Sequence, residues 1–144
     1  MIFEHLGWLV INILLPFFLP LLGILPFKIL PLPPGVEVRF ITLVKDGQLC
    51  WAAIAMGASA LFEYLNASRE NLAAFSYNGS LLLVLSLIMF LAMVLAAGGA
   101  VFNTKYLKPP YSLRGWVTHY KTLSGSFIVS VLIAIFSSVL HFII

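Results

Sequence analysis

The stretch SLLLVLSLIMFLAMVLAAGGAVF, residues 80–102, contains no ionisable side chain and no proline. A hydrocarbon layer about 30 Å thick is crossed by about 20 apolar residues rising ~1.5 Å each, and lipid offers the backbone no hydrogen-bonding partner, so such a stretch reads as a membrane-spanning helix. The same test applies outward from it. Residues 5–27, 47–62, 71–104 and 122–144 hold none of the thirteen Lys, Arg, Asp and Glu residues. Four spans are expected, near Gly7 to Leu30, Gln48 to Leu65, Ser80 to Phe102 and Gly125 to Ile144. They make up one all-α, four-helix transmembrane domain over residues 1–144. The composition agrees: 62% of the 144 residues are hydrophobic, 9% are charged and the mean hydropathy is +1.08. A soluble surface uses about 25% charged residues, so a soluble enzyme, a DNA-binding domain and a disordered linker are all excluded.

Orientation follows from Lys and Arg in short connections, which are held on the cytoplasmic side during insertion. Lys28, Arg39, Lys45, Lys105, Lys108, Arg114 and Lys121 flank the first and third connections, and only Arg69 lies in the second. This predicts an inner-membrane protein with both termini outside. The net charge of +3 then reports topology, and no specific nucleic-acid partner is expected. The first span has no basic stretch before its apolar run and does not read as a cleaved signal peptide.

Each span carries its own signals. Asn12, Pro16, Pro20, Gly23 and Pro26 predict a kinked first helix, because an interior proline removes a backbone hydrogen bond and crowds the preceding turn. A broken helix lining a transport site is one reading. A kink relieved by neighbouring helices is preferred, since the third span has no matching proline. Asp46 precedes the second span and is expected to accept hydrogen bonds from its first free N–H groups. The small residues Ala52, Ala53, Ala55, Gly57, Ala58, Ser59 and Ala60 place that span in the middle of the bundle. Glu63, near its outer end, is read as either a proton or cation handler or, preferably, a carboxylate reaching the headgroups. Asn12, Glu63 and His141 are thus the candidate intramembrane polar residues. In the fourth span Ser126, Ser130, Ala134 and Ser138 recur every four residues, and with Gly57 they form the candidate surfaces for helix packing or a homo-oligomer.

The first cytoplasmic connection combines Pro31, Pro33 and Pro34 with alternating Val36 to Phe40, which predicts a short extended segment. The second mixes Lys105, Lys108, Arg114 and Lys121 with Tyr106, Tyr111, Trp116 and Tyr120, a surface suited to anionic lipid or to a cytoplasmic protein partner. Cys50 is the only cysteine, and His5, His119 and His141 lie at no ligand spacing, so no disulfide, metal or cofactor is expected. Without a nucleophile elbow, a phosphate loop or paired carboxylates, enzyme activity is not expected either. Asn66-Ala67-Ser68 and Asn78-Gly79-Ser80 match the glycosylation pattern on the expected outer loop.

Small multidrug transporters carry a carboxylate deep in the first of their four spans, and membrane glutathione enzymes carry an Arg-containing signature; this chain has neither. In size and layout it resembles the small four-span membrane subunits of bacterial phage-defence systems, such as the membrane component of Kiwa. The segment Lys45-Asp46-Gly47-Gln48-Leu49 followed by Trp51 is similar to small bacterial inner-membrane proteins without assigned chemistry. The resemblance implies a partner in the cytoplasm. The function expected is an oligomeric membrane sensor, scaffold or regulated pore subunit acting with a cytoplasmic effector, in antiviral defence. The alternatives are a small transporter or ion channel, and a toxin-immunity or holin-like protein.

Overall fold

A computed structural model describes residues 2–29, 41, 44–70, 72–102, 104–105 and 112–143. Each element among these is helical. The first segment comprises α1 (Ile2–Leu9), a π-helical turn (Val10–Leu14), α2 (Leu15–Leu22) and α3 (Ile24–Ile29). After it come α4 (Gln48–Glu70), α5 (Leu72–Val101), α6 (Leu113–His119) and α7 (Lys121–Ile143). The expected extended segment at Val36 to Phe40 lies outside the described residues, as do Pro31, Pro33, Pro34, Tyr106, Lys108 and Tyr111.

Among the described residues three helices are long and apolar enough to cross a membrane: Gln48–Ala67, Gly79–Val101 and Lys121–Ile143. The fourth expected span falls on the first segment, whose apolar helical run is the shorter His5–Pro20. Its irregularity has a local cause. Pro16 has no N–H, and its ring crowds the carbonyl of the preceding turn. The helix widens just before it, with the Leu15 N–H donating to the Val10 carbonyl, five residues back. A second interruption is the turn at Gly23, between Pro20 and Pro26, where the Gly23 N–H still reaches the Leu19 carbonyl at 3.1 Å.

The boundaries of α4 and α5 differ from the sequence expectation. Helix continues to Glu70 and resumes at Leu72, so most of the expected outer loop is helical, including both glycosylation patterns. Ala67, Leu72, Ala73 and Ala74 are strong helix formers and no proline interrupts them. Polarity marks where a helix leaves the hydrocarbon, while propensity decides where it ends.

α4 is the central helix and packs on α5, α7 and the first segment. Gly57 lies against Met89, and Gly99 against Asp46, so α4 and α5 run antiparallel. The pairs Ser130–Leu49 and His141–Glu63 make α7 parallel to α4, and Trp8–Glu63 with Asn12–Ser59 makes the first segment antiparallel to it. The core consists of Ala53, Met56 and Ala60 from α4, Leu85, Met89, Ala92 and Ala96 from α5, and Val129, Ile133 and Leu140 from α7. Two glycines are required. Gly47 has φ +85°, and a Cβ on Gly99 would stand 1.9 Å from the Asp46 carbonyl oxygen.

The four-residue stripe on α7 does not form one face. At about 100° per residue, twelve residues carry Ser138 about 120° round from Ser126. The buried line is Ser126, Ser130, Ile133, Ser137 and Leu140, spaced alternately by four and three residues, while Ala134 and Ser138 lie half-buried on its flank. Ser126 and Ser130 are thus taken up by packing inside the bundle, as is Gly57.

Candidate functional site

Asn12, Glu63 and His141 come from three different parts of the chain and meet at one end of the bundle. Glu63 is not a free headgroup-level carboxylate. Its Oε2 accepts the Trp8 indole N–H at 3.2 Å, and its Oε1 lies 2.5 Å from His141 Nδ1. One proton lies in that short contact: either Nδ1–H donates to the carboxylate, or a carboxyl O–H donates to Nδ1. The Trp8 ring stacks on His141 with centroids 3.9 Å apart and planes within 8°. His5 stands edge-on to His141, with centroids 5.7 Å apart. The His141 side chain is 15% exposed and that of Glu63 31%, so the pair is screened from solvent without being sealed. Among the described residues His141 Nε2 and Ser137 Oγ, one turn apart on α7, are buried without a hydrogen-bond partner.

Asn12 extends this cluster inward. Its Nδ2 donates to the Trp8 carbonyl at 3.1 Å, and its Oδ1 accepts from Ser59 Oγ at 3.0 Å. Asn12 lies in the π-helical turn, and its side-chain amide bonds the carbonyl one turn back. Sequence reasoning singled out Asn12, Glu63 and His141 but missed His5, Trp8, Ser59 and Ser137. The signal was present. His5, Trp8 and Asn12 are spaced by three and four residues, and Ser59–Glu63 and Ser137–His141 are each one turn apart.

The opposite end holds a second polar cluster. Lys45 and Asp46 are both 7% exposed and pair at 2.8 Å. Asp46 Oδ1 accepts the Thr104 N–H at 2.9 Å, and Lys45 Nζ donates to the Thr104 carbonyl. The expected helix cap is thus corrected: the positive φ at Gly47 turns the chain between Asp46 and α4, and the carboxylate fastens the segment after α5 instead. Lys105, Arg114 and Lys121 are exposed, and the Lys105 carbonyl accepts the His119 Nε2–H at 2.8 Å. Lys108, grouped with them in the sequence, lies outside the described residues. Ser112 caps α6 by accepting the Gly115 N–H at 3.1 Å, and this short helix presents exposed Leu113 and Val117 beside Arg114.

Between the two clusters α4 rises about 22 Å from Gln48 to Glu63, at ~1.5 Å per residue. The buried residues along that path are apolar apart from serines. Ser126 Oγ and Ser130 Oγ donate to the Leu123 and Ser126 carbonyls on α7, and Ser130 also reaches the Leu49 carbonyl at 3.1 Å. Among the described residues no group of three His, Cys, Asp or Glu is placed to hold a metal ion. No known protein family, characterised protein or solved structure matches the chain.

Proposed function

We propose that the chain is an inner-membrane sensor subunit with four spans, the first segment serving as the fourth, and with both termini outside. The reading is carried by one observation. Among the described residues the buried ionisable pairs form two clusters at opposite ends of the bundle, joined by an apolar core instead of a file of ionisable groups. A transporter or proton channel needs ionisable or hydrated sites along its path, whereas a sensor needs a responsive cluster on one side and a docking surface on the other. The Glu63–His141 pair, with Trp8, ties the first segment to α4 and α7. A change there biases how three helices pack. On the cytoplasmic side Lys105, Arg114 and Lys121, with Lys108, form the contact surface for an effector protein of the kind that phage-defence subunits serve.

Self-association belongs to the proposal with a changed address. Because Gly57, Ser126 and Ser130 face inward, a second copy would meet Ala55 and Ala58, the small residues exposed on α4.

Reconstitution into liposomes with a pH-sensitive dye inside tests the central claim. A sensor passes no protons under an imposed gradient, and flux abolished by Glu63→Gln would replace this reading with the transporter. Cysteine labelling of whole cells tests orientation: an impermeant reagent reaches Ser76→Cys and fails at Ser112→Cys, and the reverse would place the basic surface outside.

A further inference from the structure

A cleft of about 590 Å³ lies at the end of the bundle opposite Glu63, between the first segment, α6 and α7. This falls in the range of ligand pockets, about 300–1,000 Å³. Phe17, Trp116, Val117, Phe127 and Ile128 line it, and Val117, Phe127 and Ile128 are exposed on its open side. Among the described residues its wall carries one hydroxyl, that of Ser124. Among the described residues Ser124 Oγ is buried without a hydrogen-bond partner, whereas the hydroxyls of Ser126, Ser130 and Ser138 all donate to carbonyls one turn back. The chain breaks helix at Tyr120 (φ −97°, ψ 53°), four residues before Ser124. A lone hydroxyl cannot hold water in an apolar cavity, since a water needs about 2–4 polar partners.

The rim of the cleft is cationic. Lys121 stands three residues before Ser124 and seven before Ile128, on the same face of α7, and Arg114 stands one turn before Val117 on α6. Both are exposed, and Asp46, the carboxylate at this end among the described residues, is paired with Lys45.

We propose that this cleft binds one anionic phospholipid of the surrounding bilayer. An acyl chain lies along the apolar wall, and its phosphate meets Lys121 and Arg114. The site is independent of the Glu63 cluster, but it shares Lys121 and Arg114 with the effector surface of the sensor reading.

Photolabelling tests it. The full chain is reconstituted in phosphatidylcholine vesicles with a trace of phosphatidylglycerol bearing a diazirine on one acyl chain, or with the matching phosphatidylcholine probe, and adducts are mapped by mass spectrometry. The phosphatidylglycerol probe labels Val117, Phe127 and Ile128 well above the phosphatidylcholine probe. Replacing Lys121 and Arg114 together by Gln weakens it about 30-fold, from the usual contribution of two basic residues near a membrane surface, and Lys121→Arg restores it. Ser124→Leu and Val117→Trp each fill the cleft and remove the adducts at wild-type helicity and elution volume; two filling variants guard against misfolding of either one. Equal labelling by both probes, undiminished labelling of the filled variants, absence of adducts in the wild type, or displacement by inorganic phosphate would each overturn the proposal, the last by identifying a free-phosphate site.

Discussion

Removing the Glu63 carboxylate is expected to loosen three helices at once, and the size of the effect can be worked out contact by contact. Interhelical polar contacts in membranes average about 0.6 kcal/mol and reach at most about 1.7 kcal/mol in double-mutant cycles, because the unfolded chain in lipid also finds partners. The Trp8–Glu63 contact, at 3.2 Å from a neutral donor to a carboxylate 31% exposed, belongs near that average. The His141–Glu63 contact is 2.5 Å long, is backed by the stacked Trp8 ring and involves a His only 15% exposed, which sets it near the maximum. Glu63→Ala should therefore destabilise the bundle by about 2 kcal/mol, and Glu63→Gln, which keeps an acceptor for Trp8, by about half of that. The assay is reversible unfolding in mixed micelles of mild detergent and dodecyl sulfate, followed by circular dichroism. Cycles pair Glu63→Ala first with Trp8→Phe and then with His141→Phe. Coupling energies of zero in both cycles would refute the claim that the carboxylate joins these helices.

Gly99→Ala should destabilise by at least ~1–3 kcal/mol as an overpacked contact, because the added Cβ meets backbone at Asp46, while Gly98→Ala, open to 4 Å, should be neutral or stabilising by up to ~1 kcal/mol; equal melting of the two would count against this packing. Ser130→Ala should cost about 0.6 kcal/mol through its interhelical bond to Leu49, and Ser126→Ala should be close to neutral, because its hydroxyl bonds only its own helix. Asp46→Ala breaks the buried pair with Lys45 and the bond to the Thr104 N–H and should cost about 3 kcal/mol, read from the same unfolding curves. Replacing Lys105, Lys108, Arg114 and Lys121 together by Gln should abolish photo-crosslinking to a cytoplasmic partner in cells without changing membrane insertion, and retained crosslinks would remove the docking surface from the proposal.

Much of the candidate site was legible in parts. Asn12, Glu63 and His141 stand out because a polar residue in an apolar run is conspicuous at any position. Their company did not stand out: His5 and Trp8 look like ordinary interfacial residues, and Ser59 and Ser137 look like small packing residues, until three helices bring them together. The serine stripe was legible only in part: Ser126 and Ser130 are buried in helix packing and Ala134 and Ser138 lie half-buried beside them, for a geometric reason. A repeat of four is easy to see in a sequence, but a helix turning every 3.6 residues moves such a repeat steadily off its face, so neighbouring helices select alternating fours and threes.

By itself the sequence determined that the chain is helical, where uncharged runs long enough to span a membrane lie, and that α4, with its small residues, would sit among its neighbours. These properties depend on composition and spacing along one strand of chain, and lipid enforces them segment by segment because each helix must satisfy its own backbone. Tertiary structure alone decided which polar groups share a proton, that Asp46 fastens Thr104 instead of capping α4, that Gly99 and not Gly98 is indispensable, and that Ser124 faces an apolar cleft without a partner. Each of these depends on the relative rotation and depth of separate helices. In lipid those are set by close packing between helices, which no single segment encodes.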